Sequence, residues 1–263
     1  MNNRLKTPLS YAGGKSRFLK TLLNYSNLDN INEIRDAFLG GGSFMIYLTL
    51  LYPNKKIWVN DKSYLLFNFW IQLRDNVNIL VEKIINIYNI FSVLNDDDKK
   101  EYFIKIKNNI QNENNINKAV YYYFLNKCSY SGLFNNISLL CSNSKFNLNN
   151  INNLFYYSKV IQKWKITNLD YKELLNDDKN IFIYLDPPYD IKSNLYGELH
   201  KTFNHNDFKN YVSNYKNNKI MISYNKEISN LNNHILDLKY SLRNDNKNYI
   251  MNDDIKKEYI ILN

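Results

Sequence analysis

Four consecutive residues in the second half of the chain, Asp186-Pro187-Pro188-Tyr189, restrict the possible folds most strongly. They directly follow the apolar run 181–185. A short β-branched and aromatic run that stops at two prolines predicts a buried strand with an abrupt end. In open α/β sheets, ligands bind beyond the carboxyl ends of the strands. Proline backbone is stiff and can only accept hydrogen bonds, so the motif predicts an acceptor site suited to an amino group. A strand followed by an ordinary turn is the alternative.

A glycine triplet predicts a second ligand-facing loop. Residues 34–61 have the pattern strand, helix, strand, with Gly40-Gly41-Gly42 after the first strand and Asp61 after the second. Glycines in such a turn let the backbone approach a ligand, and the acidic residue can accept hydrogen bonds from ribose hydroxyls. A dinucleotide fingerprint would need glycine where Met45 stands. An adenosine-containing ligand without pyrophosphate is therefore favoured, and an ordinary strand–helix turn is the alternative.

The rest of the pattern predicts an α/β fold that is interrupted by a long helical segment. Within residues 62–165 we expect helices at 63–89, 97–109 and 117–127, and asparagine-rich joints at 112–117 and 147–153 that are either disordered or ordered loops. Strand-like runs then resume, and the last two are candidates for a hairpin. These runs are residues 164–168, 180–185, 219–224, 235–240 and 257–262.

Charge and cysteine content restrict the partners and the compartment. The 263 residues carry a formal net charge of +9, which favours a polyanionic partner such as nucleic acid, although biased codon usage also produces lysine-rich chains. Cys128 and Cys141 are the only cysteines and match no disulfide framework or zinc motif, which predicts reduced thiols in an intracellular protein. No secretory signal and no membrane-spanning run is visible, so no membrane partner is expected.

Two further patterns are superficial. The run Gly13-Gly14-Lys15-Ser16 would need glycine in place of Leu9 to form a P-loop, so we reject a nucleoside triphosphatase. His200, His205 and Asp207 are scattered in a lysine-rich chain, and we do not expect them to bind a metal.

Taken in order, the motifs resemble those of the Dam-like DNA adenine N6-methyltransferases, the D12 class or alpha group. Residues 11–15 (Tyr-Ala-Gly-Gly-Lys) resemble the N-terminal signature of that family, and residues 36–43 resemble its cofactor motif. Asp61 matches the acidic residue after the second strand. Residues 125–127 and 131–133 resemble its DNA-binding hairpin, and residues 186–189 match its catalytic motif. A weaker match at 166–171 extends the resemblance over nearly the whole chain.

The resemblance implies a Rossmann-like, S-adenosylmethionine-dependent methyltransferase sheet with helices on both faces. The catalytic domain would comprise residues 1–61 and 166–263, with residues 62–165 as an inserted, mostly helical domain for DNA target recognition. The implied reaction transfers a methyl group from S-adenosylmethionine to adenine N6 in double-stranded DNA, by base flipping and direct in-line attack and without a metal. The loop 190–206, with Lys192, Tyr196 and Phe203, would close over the flipped base.

The resemblance also assigns roles to individual residues. The implied catalytic residues are Asp186, Pro187, Pro188 and Tyr189. The implied cofactor contacts are Tyr11, Lys15, Phe38, Gly40, Gly42, Asp61, Asp170 and Asp186. The implied DNA contacts are Lys127, Tyr130, Ser131 and Asn135.

Some residues depart from the family pattern. Ser131 stands where GATC-specific relatives have asparagine, and Phe134 and Asn135 stand where arginine is usual, so GATC is not predicted as the recognition sequence. Asp36 and Ala37 replace glutamate and proline, and cofactor binding is still expected. One alternative is a methyltransferase that acts on RNA or on a protein amide, although such enzymes more often carry asparagine before the two prolines. A second alternative is a catalytically silent DNA-binding homologue. The sequence leaves open whether the chain has a partner restriction endonuclease.

Overall fold

The structure is a computed structural model that describes residues 7–11, 13–129, 132, 145–176, 178–190, 202–236 and 258–263. The strands are β1 (Glu33–Asp36), β2 (Lys56–Asn60), β3 (Lys165–Thr167), β4 (Ile181–Leu185), β5 (Lys219–Tyr224), β6 (Asn232–Leu236) and β7 (Glu258–Leu262). The helices are α1 (Leu19–Ser26), α2 (Ser43–Leu51), α3 (Tyr64–Asp75), α4 (Val77–Ser92), α5 (Asp96–Asn109), α6 (Asn115–Cys128), α7 (Leu148–Val160) and α8 (His205–Asn214). Short 3₁₀ turns occupy Ile110–Asn112 and Tyr171–Leu174.

The strands form one seven-stranded sheet in the order β3-β2-β1-β4-β5-β7-β6. The first five in that order are parallel, whereas β7 runs antiparallel to β5 and β6. The strand order reverses between β1 and β4, and such a switch point opens a crevice at the carboxyl ends of the strands. Because β7 is antiparallel, its first residue lies at that same edge. The predicted Rossmann-like α/β class is confirmed, and the last two strands pair antiparallel as expected, although β6 begins at Asn232 rather than at residue 235.

Hydrophobic side chains cover both faces of the sheet. All five residues of β4 are buried, and successive strand residues point to opposite faces. Phe182 and Tyr184 therefore join the cluster that contains helices α1 to α7, whereas Ile183 and Leu185 join the cluster that contains α8. A strand covered on both faces must be apolar throughout, which explains the continuous apolar run before the Asp-Pro-Pro-Tyr motif.

The helices between β2 and β3 share a hydrophobic core with the sheet. Trp70 of α3 and Phe124 of α6 belong to the same buried cluster as Ile34 and Val59 of the central strands. The predicted single helix over 63–89 is two helices, α3 and α4, which meet at Asn76. The domain boundary at residues 62 and 165 stays a prediction.

Asparagine side chains begin many of the helices. Asn95, Asn114, Asn147 and Asn204 each accept a hydrogen bond from a backbone N–H in the first turn of α5, α6, α7 and α8. Asparagine is a preferred residue at this position because its short side chain reaches those N–H groups. The prediction of a loop or disorder over 147–153 is therefore wrong, since this stretch is the cap and first turns of α7. Helix α8 was not predicted.

Candidate active site at the carboxyl edge of the sheet

Residues that follow three strands, the first residue of β7 and the N-terminal segment converge at the switch point. Gly40 follows β1, Asp61 follows β2, Asp186 follows β4, and Glu258 begins β7. Lys15 reaches the same place from the segment before α1 and is 4% exposed. The sequence predicted all of these residues at the site except Glu258.

A buried lysine holds the two carboxylates together. Lys15 Nζ lies 2.8 Å from both carboxylate oxygens of Asp186 and 3.3 Å from Oε1 of Glu258, and it donates to the Gly13 carbonyl at 3.0 Å. The side chain of Asp186 is 21% exposed, whereas Glu258 is 3% exposed. Asp186 thus already engages a nitrogen that carries N–H donors, as its predicted role requires.

Burial controls the ionisation of this cluster. Burial and the nearby Glu258 carboxylate raise the pKa of Asp186 to about 6, although Lys15 acts in the opposite direction. Burial disfavours the charged form of Lys15, but Asp186 and Glu258 outweigh it and hold the Lys15 pKa well above its ordinary value. Burial also raises the pKa of Asp61 to about 6 and that of Asp36 well above its usual range. At neutral pH, Lys15 is therefore charged and Asp186 is ionised.

The residues around Tyr189 are fixed from two sides. The Tyr189 hydroxyl donates to Glu258 Oε1 at 2.6 Å, and Lys15 Nζ lies 5.2 Å from the centre of its ring. The Asp190 N–H donates to the Asn225 side chain at 3.0 Å, and that side chain donates back to the Asp190 carbonyl at 3.2 Å. The Asp-Pro-Pro-Tyr motif is therefore held between the ends of β4, β5 and β7.

The glycine loop is held by hydrogen bonds and close packing. Asp61 accepts from the N–H groups of Gly40 and Ser63, both at 2.9 Å, which ties the loops after β1 and β2 together. A Cβ atom on Gly40 would lie 2.8 Å from the Tyr11 ring. Gly42 has φ of +67°, and a Cβ there would lie 2.9 Å from the buried Trp70. The glycines thus permit close packing within the protein itself, an explanation that the sequence argument did not include.

Two other predicted cofactor contacts lie beside this loop. The Phe38 ring stacks on Tyr171 with centres 5.4 Å apart and meets Phe203 edge-on at 5.8 Å. Asp170 follows β3 and caps the 3₁₀ turn, where it accepts from the Lys172 N–H at 3.1 Å. Its position at the strand end agrees with the expected cofactor edge, and its cofactor role stays a prediction.

The charges of the site suit a cationic ligand. Asp186 and Glu258 contact Lys15, and the charges of Asp186 and Asp61 act on Asp36. The mutual repulsion of the carboxylates contributes to the raised pKa values of Asp36 and Asp186. S-adenosylmethionine carries a positively charged sulfonium and an ammonium group, which this acidic surface would attract. Among the described residues, no group of three or more His, Cys, Asp or Glu side chains is arranged to hold a metal ion. His205 instead lies with Nδ1 2.6 Å from the Tyr224 hydroxyl, and His200 lies outside the described residues.

A model of the D12 class N6 adenine-specific DNA methyltransferases matches residues 11–251. The chain belongs to this family. It is also 28% identical over 204 residues to the Type II methyltransferase M.MjaIII of Methanocaldococcus jannaschii, which covers 70% of this chain and 69% of that relative. The predicted family, enzyme class and adenine-specific DNA methylation are thereby confirmed for this D12-class methyltransferase. Across its described residues, no helix combines the length and apolar character that a membrane span requires.

Sequence reasoning missed two residues of this methyltransferase. Glu258 had no signal beyond being one acidic residue before an apolar strand. Asn126 lies in the hairpin motif, yet its side chain accepts from the Ser10 N–H and donates to the Ser10 carbonyl, both at 2.8 Å. It therefore holds the segment that carries Tyr11 and Lys15. A Cβ on Gly132 would lie 2.0 Å from the Ser10 carbonyl oxygen, so this glycine permits the same approach.

Of the predicted DNA contacts, only Lys127 lies within the described residues. Its side chain is 6% exposed, with Nζ 5.5 Å from the centre of the Tyr123 ring. Burial, and then the nearby Lys145, lower its pKa to about 8. A phosphate contact would require this side chain to become more exposed than it is here. Tyr130, Ser131 and Asn135 fall outside the described residues, as do Lys192 and Tyr196.

Proposed function

We propose that this chain transfers the methyl group of S-adenosylmethionine to N6 of one adenine within a specific sequence of double-stranded DNA, after that base has left the helix. The observation that carries the proposal is the contact of both Asp186 carboxylate oxygens with the Lys15 ammonium at 2.8 Å. A partly buried, preoriented acceptor of N–H groups at the end of β4 is what an exocyclic amine needs.

Asp186 and Pro187 would activate the amine. The N6 lone pair of adenine is delocalised into the ring, which makes the nitrogen a poor nucleophile. Hydrogen bonds from the two amine protons to the Asp186 carboxylate and the Pro187 carbonyl would favour tetrahedral geometry as the nitrogen attacks. With a pKa of about 6, Asp186 is ionised at neutral pH and can accept the proton that the nitrogen loses.

Tyr189 would bind the flipped base. Enzymes that act on a base within a duplex rotate it into a pocket and stack it against aromatic side chains. Tyr189 follows Asp186 by three positions in the chain, and its hydroxyl is fixed by Glu258. Pro188 would stiffen the backbone between the acceptor and the ring.

The cofactor would lie along the loops after β1, β2 and β3. Tyr11, Phe38, Gly40, Gly42, Asp61 and Asp170 would hold it, together with Lys15 and Asp186 at the reacting end. When bound, S-adenosylmethionine supplies a methyl group that its sulfonium already activates, so the protein contributes mainly by alignment.

Labelled S-adenosylmethionine tests this proposal directly. The purified chain is incubated with unmethylated DNA, with RNA and with bulk protein, and with Asp186→Asn protein as the matched control. We expect label only in DNA, as N6-methyladenine, and at least about a hundredfold slower labelling with the variant. Label confined to RNA or protein would refute the DNA assignment, and DNA binding without transfer to any acceptor would support a silent homologue.

The biological setting follows from the same proposal. The relative in Methanocaldococcus jannaschii is a Type II methyltransferase, which supports site-specific methylation beside a restriction endonuclease, inside the cell where DNA resides. Sequencing methylated positions in DNA from cells that express this chain would identify the recognition sequence.

A further inference from the structure

Glu258 is a charged residue in a position where burial is costly. It is 3% exposed and begins β7, next to the pairing of Tyr259 with Tyr224 at the end of β5. An ionised carboxylate away from water is unfavourable unless other groups pair with it. Within the described residues, Glu258 contacts two groups of the active site, Tyr189 and Lys15.

Both contacts use the same oxygen. Oε1 of Glu258 accepts from the Tyr189 hydroxyl at 2.6 Å and lies 3.3 Å from Lys15 Nζ. The phenol contact restricts the ring that would stack on the target base. The ammonium contact is longer than the 2.8 Å contacts that Lys15 makes with Asp186. Lys15 thus has one strong and one weaker carboxylate partner.

The entry of a target amine would change this balance. Under the proposed function, the amine donates to the Asp186 carboxylate, whose two oxygens now both contact Lys15. The ammonium would then have to weaken its contact with Asp186. Because Lys15 is 4% exposed, it cannot become hydrated without a large movement, whereas Glu258 is already within ion-pair distance.

We propose that Glu258 is a positioning residue for methyl transfer, and that its carboxylate takes over the Lys15 ammonium when the target amine engages Asp186. It also fixes the Tyr189 ring through the phenol hydroxyl. This inference rests on the proposed function and adds to it a residue that acts through Lys15 and Tyr189.

The charge of Glu258 also affects Asp186. Described charged or titratable groups that face Asp186 are Lys15, Glu258, Asp36 and Tyr184. After burial and Lys15, the Glu258 carboxylate is the next influence on the Asp186 pKa, which it raises. Removing that negative charge should lower the Asp186 pKa. The transfer rate falls at low pH because Asp186 becomes protonated, and this fall is the acid limb of the pH profile. The acid limb should then move to lower pH.

The test compares Glu258→Gln with Tyr189→Phe. Glutamine keeps an oxygen that can accept from Tyr189 but removes the charge, whereas phenylalanine removes the hydroxyl and keeps the charge. Glu82→Gln, an exposed substitution on α4, is the control. Single-turnover methylation of DNA that carries the identified recognition sequence is measured against pH, with thermal unfolding and DNA binding measured in parallel.

For Glu258→Gln we expect a transfer rate at neutral pH that is at most about a tenth of the wild-type rate. We also expect the acid limb of its pH profile to be displaced to lower pH. Tyr189→Phe should slow transfer without displacing that limb. A wild-type rate and pH profile in Glu258→Gln would overturn the inference. If both variants lose the same transfer rate and neither shows a displaced acid limb, the proposed action of Glu258 through Lys15 is overturned.

If Glu258→Gln alone does not fold, a double-substitution cycle still tests the inference. In that cycle, Lys15→Gln and Glu258→Gln together remove both buried charges. If Glu258 acts through Lys15, the Lys15→Gln protein should lose little further activity when Glu258→Gln is added. That further loss should be no larger than the factor by which Tyr189→Phe alone slows transfer. A larger further loss would overturn the inference. If wild-type protein does not methylate DNA at all, the proposed function itself has failed, which is a separate outcome.

Discussion

Replacing Asp186 with asparagine removes a negative charge from the site while nearly preserving the shape of the side chain. The acceptor oxygen that remains is neutral, and the new amide group presents donors where the target amine also presents donors. We expect methyl transfer to fall by about 10² to 10³, the usual effect of losing one preorganised polar group at a reacting centre. The same substitution should stabilise the folded protein at neutral pH.

The magnitude of that stabilisation follows from the pKa of Asp186. Folding raises this pKa from 3.8 to about 6, so ionised Asp186 disfavours the folded state by about 3 kcal/mol. The 21% exposure of the side chain reduces this to about 2 to 3 kcal/mol. Below pH 3.8 the carboxyl is protonated in both states and the penalty vanishes. It grows as the pH rises towards 6 and is complete above that.

Urea unfolding at about pH 4.5 and about pH 8 measures this difference. At the higher pH, Asp186→Asn should be more stable than wild type by about 2 to 3 kcal/mol, and at the lower pH by about a third of that. The exposed Asp29→Asn serves as control and should show no such pH-dependent gain. Lower stability than wild type at the higher pH, or transfer at the wild-type rate, would refute the description of Asp186 as a destabilised acceptor.

Two further substitutions test how the cofactor loops are built. Gly42→Ala should destabilise the fold by about 2 to 4 kcal/mol in urea unfolding, because alanine is strained at φ of +67° and its Cβ would press on Trp70. In Gly41→Ala the Cβ would meet the Tyr11 side chain at a similar 2.8 Å, but φ is not positive. This control should therefore cost less, and equal costs would contradict the role of the backbone angle. Asn126→Ala should weaken S-adenosylmethionine binding at least several-fold in calorimetric titration, since it leaves both polar backbone groups of Ser10 without their partner; unchanged affinity would show that Asn126 does not hold the cofactor segment.

Local sequence patterns predicted the strands well because a buried strand requires a run of apolar residues in the sequence. The run 181–185 is apolar throughout because both faces of β4 are covered, and its end at two prolines placed Asp186 correctly. Asparagine-rich stretches misled the prediction of α7. Their composition suggests a loop, but Asn147 caps a helix. An asparagine that caps a helix differs from one in a loop only because the helix that follows it packs against the core.

The contacts within the site depend on tertiary structure and could not be derived from spacing. Lys15 and Asp186 are 171 positions apart, and only the sheet order brings them together. Glu258 reaches the site because β7 is antiparallel to β5, so that its first residue lies at the edge of the sheet where β4 and β5 end. The sequence pattern predicts that β7 is a strand in a hairpin with β6, but its position beside β5 is fixed by the tertiary structure.

The charge distribution connects stability with function in this protein. Asp36, Asp61 and Asp186 each have a pKa above the ordinary range because of burial, and nearby carboxylates add to the rise at Asp36 and Asp186. Such an arrangement weakens the fold, and selection for folding alone would not favour it. A cationic methyl donor would offset part of the repulsion when it binds, and Lys15 offsets part of it in the free protein. Under the proposed function, Lys15 is a charge partner that keeps the acidic pocket intact until an amine from DNA takes its place on Asp186.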